Sequence, residues 1–256
     1  MLKAENICKS YGSLKAVDDV TVTVDDELIT VVIGESGSGK STLVRILSYI
    51  EMPDSGKVIL NDTVIDRKTV KAQRRNVQLV MQDAASSLDP HQSAQQIIDE
   101  PLKLLMKLDR ATRRKRITEL LDMVQFPADK LNNKVSELSG GQQKRLCIAR
   151  ALATEPQFII FDESFSGLDV TLRSQILTML KDLQKRLKTG FLIITHDLDT
   201  AMFMADRIYV MRNGKIVETL DEPKSLLDFK SDYAKELVRA AEYKRQALQN
   251  RKEEYL

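Results

Sequence analysis

The chain has 256 residues, 43% hydrophobic and 30% charged, with a net charge of +2. This is ordinary for a globular protein with a full core, in one large or two small domains. The balanced charge gives no case for nucleic acid, no apolar run approaches the roughly 18 residues of a membrane span, and no basic-then-apolar leader opens the chain.

These exclusions lead us to expect a cytosolic chain that reaches a membrane only through a partner. Cys8 and Cys147 are far apart, with no Cys or His spacing for a metal, and read as buried thiols in a reducing compartment. The chain opens β-rich. Residues 2–7 form a short strand, and Val20, Val22 and Val24 alternate with threonines at the period of a half-buried strand. Between them lies a loop, Lys9-Ser10-Tyr11-Gly12, whose Tyr11 either stacks on a base or packs as a core tyrosine.

Residues 29–33 are β-branched and apolar, as in a buried parallel strand. Gly34-Glu35-Ser36-Gly37-Ser38-Gly39-Lys40-Ser41-Thr42 then satisfies the phosphate-loop pattern G-x-x-x-x-G-K-[ST]. Leu43, Ile46, Leu47 and Ile50 come next at helical spacing. In a strand–loop–helix setting the glycines let backbone wrap an anion, and the amides and helix N-terminus face the β-phosphate. Lys40 supplies a point charge to the β- and γ-phosphates, and the Ser41 hydroxyl can hold Mg²⁺.

Pro53-Asp54-Ser55-Gly56 breaks the helix, and residues 57–60 and 63–65 read as a hairpin about Asn61-Asp62. Residues 77–81 form the next strand, with Gln82 at its end. The carboxyl ends of parallel strands are where ligands bind. Gln82 is therefore either a polar group aimed at Mg²⁺ or water, or a solvated loop residue. Residues 83–154 lose the strand signal and read as helices at about 93–107, 111–125 and 140–153, a helical insertion in the α/β core. The seven basic residues between 103 and 116, against one Asp, read as a solvated helix face ahead of a site for an acidic partner.

Leu138-Ser139-Gly140-Gly141-Gln142 opens the third of these helices, with Ser139 as N-cap and two glycines leaving bare amides. A second anion site has no use in cis, but it makes sense against the γ-phosphate of a neighbouring copy. Residues 158–163 return to a buried strand ending in two carboxylates. Asp162 can hold Mg²⁺ through water, and Glu163 can orient and deprotonate a water for in-line attack. Ser166-Gly167-Leu168-Asp169 is a turn, 172–187 a helix, and 191–195 another buried strand with His196 at its end, placed for a γ-phosphate contact. Residues 207–211 and 215–219 close a hairpin over Asn213-Gly214, and 222–256 read as helix.

In this order the motifs make the chain similar to the ATP-binding subunits of ABC transporters over nearly its whole length. The resemblance assigns Tyr11 to the adenine-stacking loop, 34–42 to Walker A, Gln82 to the Q-loop and 138–142 to a full LSGGQ signature. It assigns 158–163 to Walker B with its catalytic Glu, 166–169 to the D-loop and His196 to the switch histidine. It implies catalysis by Glu163, His196, Lys40 and Gln82. ATP contacts would come from Tyr11, Gly34, Ser36, Gly37, Ser38, Gly39, Lys40, Ser41, Thr42, Gln82, Ser139, Gly140, Gly141, Gln142 and Asp169, and Mg²⁺ contacts from Ser41, Gln82 and Asp162. The implied fold is α/β, a RecA-like P-loop NTPase. Its mostly parallel core sheet and antiparallel β subdomain span 1–82 and 155–220, with a helical subdomain at 83–154 and a C-terminal helical extension at 221–256. A head-to-tail dimer with a second ATP-binding subunit, same or related, would hold two ATP. Each would lie between one subunit's phosphate loop and the other's Ser139 and Gly141.

The segment 81–90, with Glu100-Pro101-Leu102 downstream, resembles the peptide/nickel importer branch. That resemblance implies two transmembrane permease subunits, an extracytoplasmic solute-binding protein, and a peripheral position on the cytoplasmic face of the membrane. The chain departs from the family at Ser164-Phe165-Ser166-Gly167, where Pro-Thr-Ser-Ala is usual, and at Gln143-Lys144-Arg145, where Arg-Gln-Arg is usual. The tail keeps only Asp232-Tyr233-Ala234-Lys235-Glu236-Leu237 of the branch's C-terminal pattern. An exporter or lipoprotein-release ATPase is the alternative. A soluble ABC ATPase acting on DNA or ribosomes is disfavoured, because the chain has one phosphate loop, two scattered cysteines and no sustained heptads.

Overall fold

The structure, a computed structural model, describes residues 1–253. β1 (Leu2–Tyr11) and β2 (Leu14–Val24) pair antiparallel, and β3 (Ile29–Ile33), α1 (Lys40–Leu47), β4 (Ser55–Leu60) and β5 (Thr63–Ile65) come next. β1, β2, β4 and β5 make one antiparallel sheet in the order β2-β1-β4-β5. After α2 (Val70–Gln73) comes β6 (Val77–Val80), and four helices then precede β7 (Phe158–Asp162): α3 (Ala84–Ser87), α4 (Ala94–Leu104), α5 (Arg110–Met123) and α6 (Gly140–Leu152). The chain continues through α7 (Val170–Leu187), β8 (Gly190–Thr195), α8 (Leu198–Met204), β9 (Arg207–Arg212), β10 (Lys215–Asp221) and α9 (Asp232–Glu253).

The second sheet runs β10-β9-β3-β8-β7-β6, parallel from β9 to β6 with β10 as an antiparallel edge. Every residue of β3 and of β8 is buried, as their continuous apolar runs require of strands covered on both faces. Alternation sorts these residues between two cores. Val32, Ile160, Leu192 and Ile194 face α1 and the antiparallel sheet. Val31, Ile33, Ile159, Phe161 and Ile193 face the cluster that includes α6 and α7. α1 is therefore filling between two sheets: its Leu43, Val44, Ile46 and Leu47 are buried, each contributing about 1.5–3 kcal/mol.

Register aligns the strand ends. Ile33 lies opposite Thr195, Asp162 opposite Ile194 and Val80 opposite Phe161. The loops that leave these strands therefore meet along one edge of the sheet. The structure differs from sequence expectation in local ways. β1 runs on to Tyr11 through register shifts, so Tyr11 ends a strand and is not in a loop. Cys147 is buried as expected, whereas Cys8, near the end of that strand, is only partly so. Ile50 lies off α1 and is exposed, because Tyr49 at φ 60° turns the chain and the Ile50 amide folds back onto the Arg45 carbonyl. α9 starts at Asp232, ten residues after the expected start, and the end of the predicted 222–256 helix lies outside the described residues. Among the basic residues near α5, Arg113 pairs with Asp99, and Arg116 with Glu119 and Glu155. The β9–β10 turn is as expected, with Asn213 and Gly214 both at positive φ.

Candidate active site

The loop between β3 and α1 folds over its own lysine. Lys40 is 3% exposed, and its ammonium donates to the carbonyls of Gly34 (2.8 Å) and Glu35 (2.7 Å) and to Ser38 Oγ (3.4 Å). Burial pushes the Lys40 ammonium down, opposed by Glu163, Asp162 and Glu35. Gly39 sits at φ +106°, and a methyl there would lie 2.1 Å from the Ala16 carbonyl oxygen. With Gly39 as N-cap, α1 starts with no side chain on its first amides, an open anion site at a helix N-terminus. Neighbours brace the loop. The Gly214 amide donates to the Ser38 carbonyl (2.9 Å), and the Glu35 amide donates to the Tyr233 hydroxyl of α9 (3.0 Å). The Arg212 guanidinium lies 4.4 Å from the centre of the Tyr233 ring.

Two strand ends bring acid and imidazole to the same edge. Asp162 closes β7, and its Oδ1 is buried with no hydrogen-bond partner among the described residues. Burial raises its pKa, with the Glu163 charge adding to the rise and Lys40 opposing it. Glu163 holds φ 42°, an uncommon conformation for a non-glycine residue, while its amide still donates to the Ile194 carbonyl at 3.0 Å. Glu163 Oε2 is 3.4 Å from His196 Nδ1. Beyond His196, Asp197 caps α8 and pairs with Arg173 of α7 at 3.1 Å. An open cleft of about 660 Å³ is lined by Gly34, Glu35, Ser36, Glu163, Arg173 and His196 among others.

At the β6 end, Gln82 Nε2 donates to Ser166 Oγ at 3.3 Å, and Ser166 Oγ donates to the Glu163 carbonyl at 2.7 Å. Gln82 is thereby tied to the turn after Glu163. Asp169 caps α7 by accepting from the Leu172 amide at 2.9 Å. Tyr11 is 45% exposed, and its hydroxyl donates to Glu51 at 2.6 Å. Ser139 and Gln142 form a reciprocal capping box at the start of α6. That box occupies both side chains in cis and leaves the Gly140 and Gly141 amides for an outside acceptor. Of the expected site residues, Gly34, Ser36, Glu163 and His196 line the cleft, whereas Tyr11, residues 37–42, Gln82, residues 139–142, Asp162 and Asp169 do not.

Chemically, this edge offers a cage for a phosphate, a carboxylate poised beside an imidazole, and a buried carboxylate oxygen lacking a partner. Among the described residues no three His, Cys, Asp or Glu side chains gather to hold a metal. A cation here would need further oxygens from phosphate or water, the habit of Mg²⁺. Sequence reasoning gives no site role to Arg173, Tyr233, Lys144 or Ser164. Ser164 and Lys144 stand out in the sequence only as departures from the family and Tyr233 only in the tail pattern, while nothing local marks Arg173.

Known proteins share both the sequence and the fold of this chain. The family model described as ABC transporter matches residues 17–166. The chain is 40% identical over 234 residues to the oligopeptide transport ATP-binding protein OppF of Lactococcus lactis, covering 88% of this chain and 72% of that one. It is 39% identical over 232 residues to the nickel import ATP-binding protein NikE of Brucella abortus, covering 86% and 87%. A dimeric, post-hydrolysis structure of the ATP-binding cassette MJ0796, bound to ADP and phosphate, superposes with a TM-score of 0.78 at 30% identity, covering 87% of this chain and 99% of that one.

Proposed function

The chain belongs to the ABC transporter family, and we propose that it is the ATP-hydrolysing subunit that powers a membrane importer of peptides, nickel or a metal chelate. The observation that carries this reading is the alignment of Glu163 and His196, 3.4 Å apart, at the ends of adjacent parallel strands, with the Lys40 loop leaving the next strand over. The substrate class rests on the oligopeptide and nickel relatives.

In this reading Lys40 and the amides of residues 36–42 hold the β- and γ-phosphates, and Tyr11 stacks on the adenine. Glu163 is the general base. Its carboxylate takes the proton of a water lined up with the γ-phosphorus, and His196 steadies the carboxylate and the phosphate oxygens. Mg²⁺ fits the orphaned Asp162 oxygen, with Ser41 and Gln82 as further ligands, and supplies charge neutralisation between phosphates when bound. The Gly140 and Gly141 amides, with Ser139, close over the γ-phosphate of a second subunit, same or related, and Asp169 lies at that boundary. Such a shared ligand binds the closed dimer differently from the open one, which is what a switch requires.

Residues 1–82 and 155–220 would act as the nucleotide core, 83–154 as the helical part that meets two permease subunits, and 221–256 as an extension. Among the described residues no helix is long and apolar enough to cross a membrane. We place the chain on the cytoplasmic face beneath the permeases, working with an extracytoplasmic binding protein. The test is Glu163→Gln in the purified chain. ATP binding should persist while turnover falls about 10²- to 10⁴-fold, the usual worth of a general base. Unchanged turnover would refute the assignment.

A further inference from the structure

The segment 81–87, which carries Gln82, is held from two sides by donors that the reaction does not use. From α6, the Lys144 ammonium donates to the carbonyls of Met81 (3.0 Å) and Gln82 (3.1 Å). Nearly two turns further along the same helix, Arg150 Nη1 donates to the Ser87 carbonyl at 2.6 Å, and Cys147 Sγ lies 3.3 Å from Ser87 Oγ. Positions 144, 147 and 150 share one face of the helix. From the other side, Ser164, next to Glu163, donates its hydroxyl to the carbonyls of Val80 (2.6 Å) and Met81 (3.2 Å).

Lys144 and Ser164 are 3% and 0% exposed. Both donor side chains are therefore held inside the protein, although the Met81 and Gln82 residues whose carbonyls they meet are themselves exposed. Burial pushes the Lys144 ammonium down, with Cys147 and Asp83 opposing. Lys144 lies about 7.5 Å along the α6 axis from Ser139, at a rise of 1.5 Å per residue. The helix that begins at the signature thus grips the Gln82 backbone rigidly, and the Met81 carbonyl joins Lys144 to the residue after Glu163.

We propose that Lys144 is a positioning residue that couples the two nucleotide sites of the dimer. It makes a displacement of Ser139–Gly141 on the partner's γ-phosphate a displacement of Gln82 and Glu163 in its own site. Ser164 is the second anchor of the same junction. The coupling rests on the ATPase reading. It is a physical link, because Lys144 and Ser164 donate to the same Met81 carbonyl and so join the α6 helix to the residue after Glu163, two elements that each meet a ligand in that reading.

The experiment is steady-state ATP hydrolysis by the full chain against ATP concentration, for wild type, Lys144→Met, Lys144→Arg and Ser164→Ala. ATP affinity is measured separately in a Glu163→Gln background, and melting temperature serves as a folding control. Wild type should show a Hill coefficient approaching ~2, the number of sites. Lys144→Met should fall to ~1 and lose about 5- to 150-fold in apparent ATP affinity during turnover, with ATP affinity of the single subunit unchanged and a lower kcat. Lys144→Arg, which keeps donors at the same carbonyls, should recover much of both. Ser164→Ala, a milder change that keeps the fold if Lys144→Met does not, should move the same way by less. Wild-type cooperativity in folded Lys144→Met or, where that variant does not fold, in Ser164→Ala overturns the inference. So does a Lys144→Arg as defective as Lys144→Met. Absence of any hydrolysis by wild type overturns instead the ATPase reading beneath it.

Discussion

Asp162→Asn should make the nucleotide-free protein more stable and the nucleotide-bound protein less so. Asp162 Oδ1 is buried without a partner among the described residues, and the group's raised pKa comes first from burial and then from the neighbouring Glu163. Lys40 opposes the rise but is the smallest of the three causes. A carboxylate in that position costs free energy unless a cation meets it. An amide is still polar and without a partner but carries no charge to desolvate, so the substitution should return on the order of 1 kcal/mol, the excess cost of burying a charge over a neutral polar group. For a chain of this size that is roughly 2–4 °C in Tm for each kcal/mol.

The pH dependence has a definite sign. Just above the ordinary value of 3.8, the native Asp162 keeps a proton that the unfolded chain has lost. Stability from this group is therefore present below that window and is lost as pH rises through the raised native value. The wild-type deficit relative to Asp162→Asn should thus be largest at neutral pH and shrink towards acid. Thermal unfolding of both proteins across pH, with and without ATP and Mg²⁺, reads all of this. Added Mg²⁺ and ATP should stabilise wild type strongly and Asp162→Asn weakly. An Asp162→Asn protein that melts below wild type at neutral pH without nucleotide would refute the reasoning.

Other consequences rest on single contacts. Tyr233→Phe removes the acceptor for the Glu35 amide and should cost about 0.5–1.5 kcal/mol, seen as up to about tenfold weaker ATP binding by calorimetry. Ser139→Ala breaks the capping box at α6, lowering stability by about 0.5–2 kcal/mol and weakening ATP-driven association in sedimentation. Gly39→Ala forces a side chain into φ +106° against the Ala16 carbonyl and should abolish ATP binding, measured by a fluorescent nucleotide, with a lowered Tm.

The sheet edge that carries the candidate site was legible because its signals are local. Buried β-branched runs mark β3, β7 and β8, and a polar residue directly after each run must lie at the sheet's carboxyl edge once the strands are parallel. Glu163 and His196 come from that rule, Gln82 from the same reasoning at the end of the less buried β6, and the phosphate loop from its glycine spacing. What the sequence hid depends on backbone turns and distant partners. Ile50 has helical spacing, but Tyr49 at φ 60° ends α1 before it, and tyrosine is not a residue that announces such a turn. Tyr11 belongs to a strand because β1 absorbs irregular register that alternation alone does not reveal. Tyr233 reaches Glu35 from 198 positions away, and Lys144 reads on its own as a solvated helix residue. Only packing α6 against the end of β6 shows it to be buried.

The central claim is that ATP lies between the phosphate loop of one subunit and the serine–glycine helix start of the other. The most direct measurement is thiol cross-linking between Ser36→Cys and Ser139→Cys, in Glu163→Gln protein that holds ATP without turning it over. A cross-link joining two subunits that forms with ATP and Mg²⁺ and vanishes without them is the predicted result. Absence of that cross-link in fully ATP-loaded protein, or its equal yield without nucleotide, would contradict the account.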